Sequence, residues 1–441
     1  MFGYHLALAV RSLRRSPGLT ALMMLTIGFG VAASMTMYSV VRGLSADPIP
    51  WKSSQLFVPQ VDMWGPGDRG PGGEPPVAMD YADAVALMRQ HRATRQSAIY
   101  AISPSAMPTG TSRNRSPITL DGYAVYGEFF PMLDVRFPYG HGWSAQDDAA
   151  PSPVIVISDK LNQQVFGGGN SVGKTIELDD HDYRVVGVIH DWNPQPVFYD
   201  TINPGYGGRG PEVFVPFQQA IAVNMVNASW DGCKKGTSDP NADFVRLRQS
   251  DCVWISYMVE LNDAADVQRY RQYLDDYASE QEKTGRFDWA PNNRLRDVPT
   301  FLDYRQVVPG NIRVSLLVAL GLLIVCLVNT MGLLLAKFLR RSGEIGIRRA
   351  LGASRTAIHA QFLIEAGVIG VGGGVLGLLF TIVGVLCIGQ VLPAADAELA
   401  HLDTPLLMLT LLTAVIATLL AGMYPTFRAA RVPPAWHLKA Q

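Results

Sequence analysis

Hydrophobic and polar positions are sorted into blocks along this chain. Four stretches without Asp, Glu, Lys or Arg lie between Arg15 and Arg42, Arg313 and Lys337, Glu365 and Asp396, and Asp403 and Arg428, giving 26, 23, 30 and 24 uncharged residues. A hydrocarbon core of about 30 Å takes roughly 20 helical residues, and lipid accepts only backbone whose hydrogen bonds close internally. The pattern therefore predicts transmembrane helices over 18–41, 314–336, 364–392 and 404–427. Buried helices of a soluble protein are a poor account of four runs this long. One span precedes and three follow a long polar segment, 46–309.

Within that segment the pattern becomes short and mixed. Residues 64–76 are Gly/Pro-rich and read as a loop, whereas Tyr81 to His91 carries Ala84, Val85, Leu87 and Met88 at helical spacing. The run Val154-Ile155-Val156-Ile157 predicts a buried strand. Thr175 to Leu178 and Tyr183 to Ile189 flank Asp179-Asp180-His181-Asp182 and predict a hairpin. Val253 to Leu261 reads as a strand, and Ala264 to Lys283 as a helix with Val267, Tyr270, Leu274 and Tyr277 on one face. The fold class is thus an α-helical membrane protein with four transmembrane helices, one plus three, and a large α+β extracytoplasmic domain between helices 1 and 2. Its roughly 265 residues fit one large domain or two smaller ones, and two intertwined subdomains are expected.

Charge orients this map. The formal net charge is only -1, but Arg11, Arg14 and Arg15, then Lys337, Arg340, Arg341, Arg348, Arg349 and Arg355, then Arg428, Arg431 and Lys439 face Glu344 alone as a counter-charge in their three segments. The loop after the third span holds Asp396, Glu398 and Asp403 without Lys or Arg. The positive-inside rule then predicts both termini and the 337–360 loop in the cytoplasm and the insert outside. The first 17 residues do not read as a cleavable signal, because the apolar run after them is too long and lacks a small-x-small exit before Arg42. They read either as an amphipathic helix on the inner surface or as an extension of the first span. Residues 428–441 form a cytoplasmic tail, and nothing in the charge pattern points to nucleic acid.

Several motifs suggest chemistry. Gly168 to Thr175, GGNSVGKT, matches the phosphate-loop pattern, but such a loop needs a strand before it and a helix after it. Here a helical stretch, 159–166, precedes it and a strand follows, so a Gly-rich turn entering the hairpin is expected. Asp179, Asp180, His181, Asp182, His190 and Asp191 could in principle ligate a metal, yet their spacing is that of a solvated hairpin tip, and no metal site is assigned. Cys233 and Cys252 bracket a loop-rich stretch in the outer segment and are candidates for a disulfide, which in the chain-entropy model supplies about 3 kcal/mol; two free thiols are the alternative. Cys326 and Cys387 lie in spans, where packing is their ordinary role. Gly370, Gly374 and Gly377, and Gly373 with Gly377, give small-residue spacing for close helix packing. Glu365 sits at the inner end of the third span, either reaching interfacial water or serving as a proton relay.

The 337–360 loop contains a short amphipathic helix and a Gly-Ala-Ser break, suited to docking a soluble partner or simply to holding positive charge inside. Its sequence EIGIRRALGASR, with QFLIEA at 361–366, resembles the FtsX-like domain of MacB-type ABC transporter permeases, and YPTFRAARVPPAWHL at 424–438 resembles that family's ending. EFFPMLDVRFPYGHGW, VFGGGNSVGKTIEL and YRVVGVI resemble the MacB-like periplasmic core domain, and LRRSPGLTALMMLTIGFGVAA its leading span. The resemblance implies a non-catalytic permease in the bacterial cell membrane, acting as one of a pair, identical or paralogous, gripped by cytoplasmic ABC ATPase subunits. ATP and Mg would be bound by the partner ATPase, and none by this chain, which lacks the fused nucleotide-binding domain of MacB. Glu344, Arg348, Arg349, Ala350, Gly352 and Ala353 would couple to the ATPase. The expected function is export or extrusion of a peptide, lipid-linked or drug-like substrate by mechanotransmission, with a membrane-fusion adaptor as a further partner. The alternative is a signalling device of the same architecture that drives a cell-wall enzyme or senses a ligand.

Overall fold

The computed structural model describes residues 11–13, 15–106, 117–190, 192–205, 210–229, 232–234, 243–308, 310–387 and 403–430. The chain divides into two units, residues 1–45 with 308–441, and residues 46–307. Most of the expected N-terminal amphipathic segment, most of the tail, and Asp396 and Glu398 fall outside the described residues.

Among the described residues the first unit holds four helices long and apolar enough to cross a membrane, Pro17–Leu44, Ile312–Leu339, Arg355–Cys387 and Thr404–Arg428. Pro17 starts the first, where its fixed φ suits helix entry and its missing N–H costs nothing. The third begins nine residues before the predicted span, because Ser354 Oγ accepts the Ala357 N–H (3.1 Å) and caps a polar first turn. The first span is central: half of its apolar window is buried, against 17% of the second's. Ser34 Oγ donates across it to Ala319 O of the second span (3.0 Å).

The four candidate packing glycines divide between two faces of the third span. A Cβ on Gly370 would lie 3.0 Å from Thr418 Cβ, and one on Gly374 2.8 Å from Leu411 Cδ1, both on the fourth span. A Cβ on Gly373 would lie 3.0 Å from Ile27 Cγ2, and one on Gly377 3.4 Å from Gly28 O, both on the first. At the end of the bundle where the first span finishes, Arg42 pairs with Asp403 (2.9 Å), and Asp403 caps the fourth helix through the Leu406 N–H (2.9 Å).

Among the described residues the second unit contains twelve strands: β1 Leu56–Gln60, β2 Arg95–Ile102, β3 Ser105–Ala106, β4 Ile118–Thr119, β5 Gly122–Val125, β6 Tyr139–Gly140, β7 Val154–Ser158, β8 Thr175–Leu178, β9 His181–Ile189, β10 Val213–Pro216, β11 Ser256–Glu260 and β12 Arg294–Asp297. They join in one path, β12-β1-β11-β2-β5-β10-β7-β9-β8-β3-β4, with β6 on β9. One mixed sheet thus connects pieces distant in sequence; β5–β10 and β7–β9 are its parallel pairs. Both faces are covered, so adjacent residues go to different cores: Ile155, Ile157, Val213 and Tyr257 to one, Val154, Val156, Phe214 and Met258 to the other. That explains the unbroken apolar run in β7.

The β8–β9 turn is shorter than the four polar residues suggested. Asp179 and Asp180, at φ 46° and 63°, form it alone, and His181 and Asp182 already belong to β9. The helix Asp159–Phe166 precedes the GGNSVGKT stretch and β8 follows it, the reverse of a phosphate loop. Cys233 and Cys252 are joined as a disulfide, next to a bridge between Gly232 and Val253.

The insert's two ends are held side by side. β1, which follows the first span in sequence, pairs antiparallel with β12, which precedes the second, from Phe57 opposite Asp297 to Gln60 opposite Arg294. Lys52 fastens the entry segment: its buried ammonium donates to Pro131 O (3.0 Å) and pairs with Glu260 (3.1 Å) on β11.

Candidate functional site

The connector between the second and third spans folds as a short helix, Ser342–Ala350. Gly352 ends it with φ +98°, a left-handed conformation that favours glycine, and the Ala353 N–H returns to Arg348 O (3.0 Å). One side of the helix is built in. Ile345 is buried with Phe338, Ile358 and Phe362; Arg348 Nη2 donates to Glu344 Oε1 (2.6 Å) and Nη1 to Gln361 Oε1 (2.9 Å). The other side presents Ile347, 65% exposed, and Leu351, 84% exposed.

Of the six predicted coupling residues, Arg348 binds the helix to the third span through Gln361, Glu344 pairs within the connector with Arg341 and Arg348, and Arg349 is half-buried. Ala350 and Gly352 are exposed beside Ile347 and Leu351, and Ala353 sits in the cap. The outward apolar pair was not singled out from sequence, although its i, i+4 spacing on a short helix is a readable signal.

A buried polar cluster lies directly behind this helix. Glu365 is fully buried and is met from three other segments. Ser12 Oγ donates to its Oε1 (2.6 Å), Arg341 Nη1 to its Oε2 (3.3 Å), and Lys337 Nζ lies 2.6 Å from Oε1 as an ion pair poorly directed for a hydrogen bond. Arg341 also donates to Ser12 Oγ (2.6 Å) and, through Nε and Nη2, to Glu344 Oε2 (3.2 and 3.1 Å). Glu365 therefore does not hang toward interfacial water. Sequence reasoning missed Ser12, Lys337, Arg341 and Gln361; Lys337 and Arg341, one turn apart, were the available counter-charges for a carboxylate in a span.

In the insert, Asp80 and Asp83 share Arg286, whose Nη2 donates to Asp80 Oδ2 (2.6 Å) and whose Nη1 reaches Asp83. Burial, then the Asp83 charge, pushes Asp80 up to about 7 against the pull of Arg286. Burial also pushes Asp148 up to about 6, though Gly127 N–H and Trp143 Nε1 donate to it. At the acidic hairpin tip, to which no metal was assigned, His181 Nδ1 bonds Asp179 O (2.8 Å) and His190 pairs with Asp159 (3.1 Å). Among the described residues no three His, Cys, Asp or Glu side chains converge on a metal position; Asp191 lies outside them.

Residues 20–277 match the family model of the MacB-like periplasmic core domain, and residues 316–434 that of the FtsX-like permease C-terminal. The chain belongs to the MacB-like, FtsX-like ABC permease family. It resembles Macrolide export ATP-binding/permease protein MacB 1/2 of Paracoccus denitrificans, 26% identical over 359 residues, which are 80% of this chain and 46% of that one. It also resembles the uncharacterized ABC transporter permease YvrN of Bacillus subtilis, 23% identical over 98% of both chains. The periplasmic region of MacB from Actinobacillus actinomycetemcomitans superposes with a TM-score of 0.37 at 12% identity, covering 60% of this chain and 99% of that one. The chain spans about half the length of the first of these relatives. As a member of this permease family it is an inner-membrane protein whose insert is a periplasmic core domain, and the connector helix lies within the FtsX-like portion.

Proposed function

We propose that this permease couples ATP hydrolysis by a cytoplasmic ABC ATPase to movement of its outer domain, driving export or extrusion of a peptide, lipid-linked or drug-like substrate. The observation that carries this reading is the two-sided connector helix. Its charged side is bonded to the bundle, so force on it reaches the spans, while Ile347 and Leu351 offer an apolar face to a partner. The basic charge around it supports a cytoplasmic placement, with both termini on the same side. In sequence the first span precedes β1 and the second follows β12, each through a short linking segment, and these two strands pair, so relative motion of the two spans would be felt by the sheet. Leu317, Val318, Ile324, Val325 and Val328 of the second span are exposed, a surface for lipid or for a second permease, identical or paralogous.

The test is recovery of the ATPase. Purified from membranes, the unaltered chain is expected to bring an ABC ATPase with it, and Ile347→Glu with Leu351→Glu to reduce that recovery at least tenfold. Charge reversal at Arg349 should reduce it less. Equal recovery by the apolar-face variant would refute the docking assignment.

A further inference from the structure

Among the described residues, Glu365 is the only carboxylate inside the four spans. Its surroundings bring together four parts of the chain at one carboxylate. Ser12 precedes the first span, Lys337 ends the second, Arg341 opens the connector, and Glu365 lies about three turns into the third helix. From this point the network continues outward through Arg341 to Glu344, from Glu344 to Arg348, and back to the third helix at Gln361, one turn before Glu365. The connector helix is therefore held twice to the third helix and, through the same carboxylate, to the first and second.

Buried ion pairs of this kind seldom increase stability over an apolar set of the same volume, because desolvation offsets the attraction. They do fix geometry, since each bond demands one orientation. Arg341 pairs with Glu344 inside the connector and reaches Glu365 on the third helix, so displacement of the connector either drags the third helix with it or breaks the bond to Glu365. We propose that Glu365 is a positioning residue, the hub through which displacement of the connector helix is passed to the first three spans. This rests on the reading that an ATPase docks on that helix. Glu365 does not touch the docking face formed by Ile347 and Leu351, so its loss should separate docking from response.

The experiment uses the full chain in lipid nanodiscs, titrated with the ATPase that copurifies with it. Glu365→Gln is expected to leave the half-saturating permease concentration within twofold while maximal stimulation of ATP hydrolysis falls at least fivefold. Glu365→Asp, which keeps the charge, should retain at least half of the stimulation. A second measurement needs no ATPase: nitroxides at Leu351→Cys and Leu420→Cys, with Cys326 and Cys387 replaced by serine, should show a narrow distance distribution in the parent and a broad one with Glu365→Gln. Full stimulation, or an unchanged narrow distribution, in Glu365→Gln overturns the proposal. If Glu365→Gln does not fold, the neutral pair Lys337→Met with Glu365→Met replaces it, and wild-type stimulation by that pair is equally fatal. If no ATPase stimulates the parent, the docking reading fails while the distance measurement still decides the hub.

Discussion

Asp80 caps the helix Tyr81–Gln90 through the Asp83 N–H (2.7 Å) and takes an ion pair from Arg286, yet burial and the neighbouring Asp83 carboxylate raise it from 3.8 to about 7. One guanidinium cannot fully compensate two buried carboxylates, so the native state holds this proton more tightly than the unfolded chain. The stabilising contribution is complete below about pH 3.8 and is lost as pH rises through about 7. The stability of the full chain in detergent should therefore fall more steeply between pH 5 and 8 than that of Asp80→Asn, by about 2–3 kcal/mol. Parallel curves would show that Asp80 is ionised throughout. Lys337 makes a different case. Removing it by Lys337→Met leaves Glu365 with less compensation and should cost about 3–5 kcal/mol, whereas Lys337→Met with Glu365→Met should regain most of it. Of these arrangements, the sequence displayed only the carboxylate in a span. Its partners come from residues 12, 337 and 341, and chain separation of that size leaves no local pattern to read.

Among the elements, the third span shows how far spacing goes. Small residues four apart predicted close packing, and close packing is present, but the spacing does not say that Gly370 and Gly374 face the fourth span while Gly373 and Gly377 face the first. The angular offset between the two pairs is a helical consequence; which neighbour each meets is decided by the bundle. On the first span, a Cβ at Gly28 would lie 3.1 Å from Gly373 O, a backbone atom that cannot swing away. Gly28→Val should thus destabilise the bundle by about 1–3 kcal/mol, and Gly367→Val, where the nearest atom is Leu419 Cδ2 at 3.6 Å, by clearly less. Thermal unfolding in one detergent, read by helix circular dichroism, compares them; equal losses would contradict the packing assignment. In the insert, the apolar run of β7 predicted a buried strand, and the β8–β9 hairpin followed from its flanking runs. The two-residue turn did not follow, because Asp at positive φ at both turn positions looks in sequence like any solvated acidic tip.

For the whole molecule, the loop around the disulfide has little apolar content of its own. The Cys233–Cys252 bond closes a 19-residue separation, so its reduction should lower the insert's stability by about 2–4 kcal/mol in the chain-entropy account. Peptide mapping without reductant should recover the two cysteines linked, and hydrogen exchange of the full chain after reduction should rise first around Gly232 and Val253. Free thiols in the oxidised preparation would remove this staple from the description.

Membrane insertion was fixed by the amino-acid sequence alone, because lipid imposes a minimum length of uncharged helix and water imposes none. The one-plus-three division and the short elements of the insert were legible for the same reason: they depend on composition and period along the chain. Tertiary structure decided everything that depends on which distant segments meet. It placed β1 beside β12, tied Arg348 to Gln361 and turned Ile347 and Leu351 outward, and gathered Ser12, Lys337 and Arg341 around Glu365. A buried charge is tolerable only with its partners in place, and those partners are chosen by the packing of helices, not by neighbours in sequence.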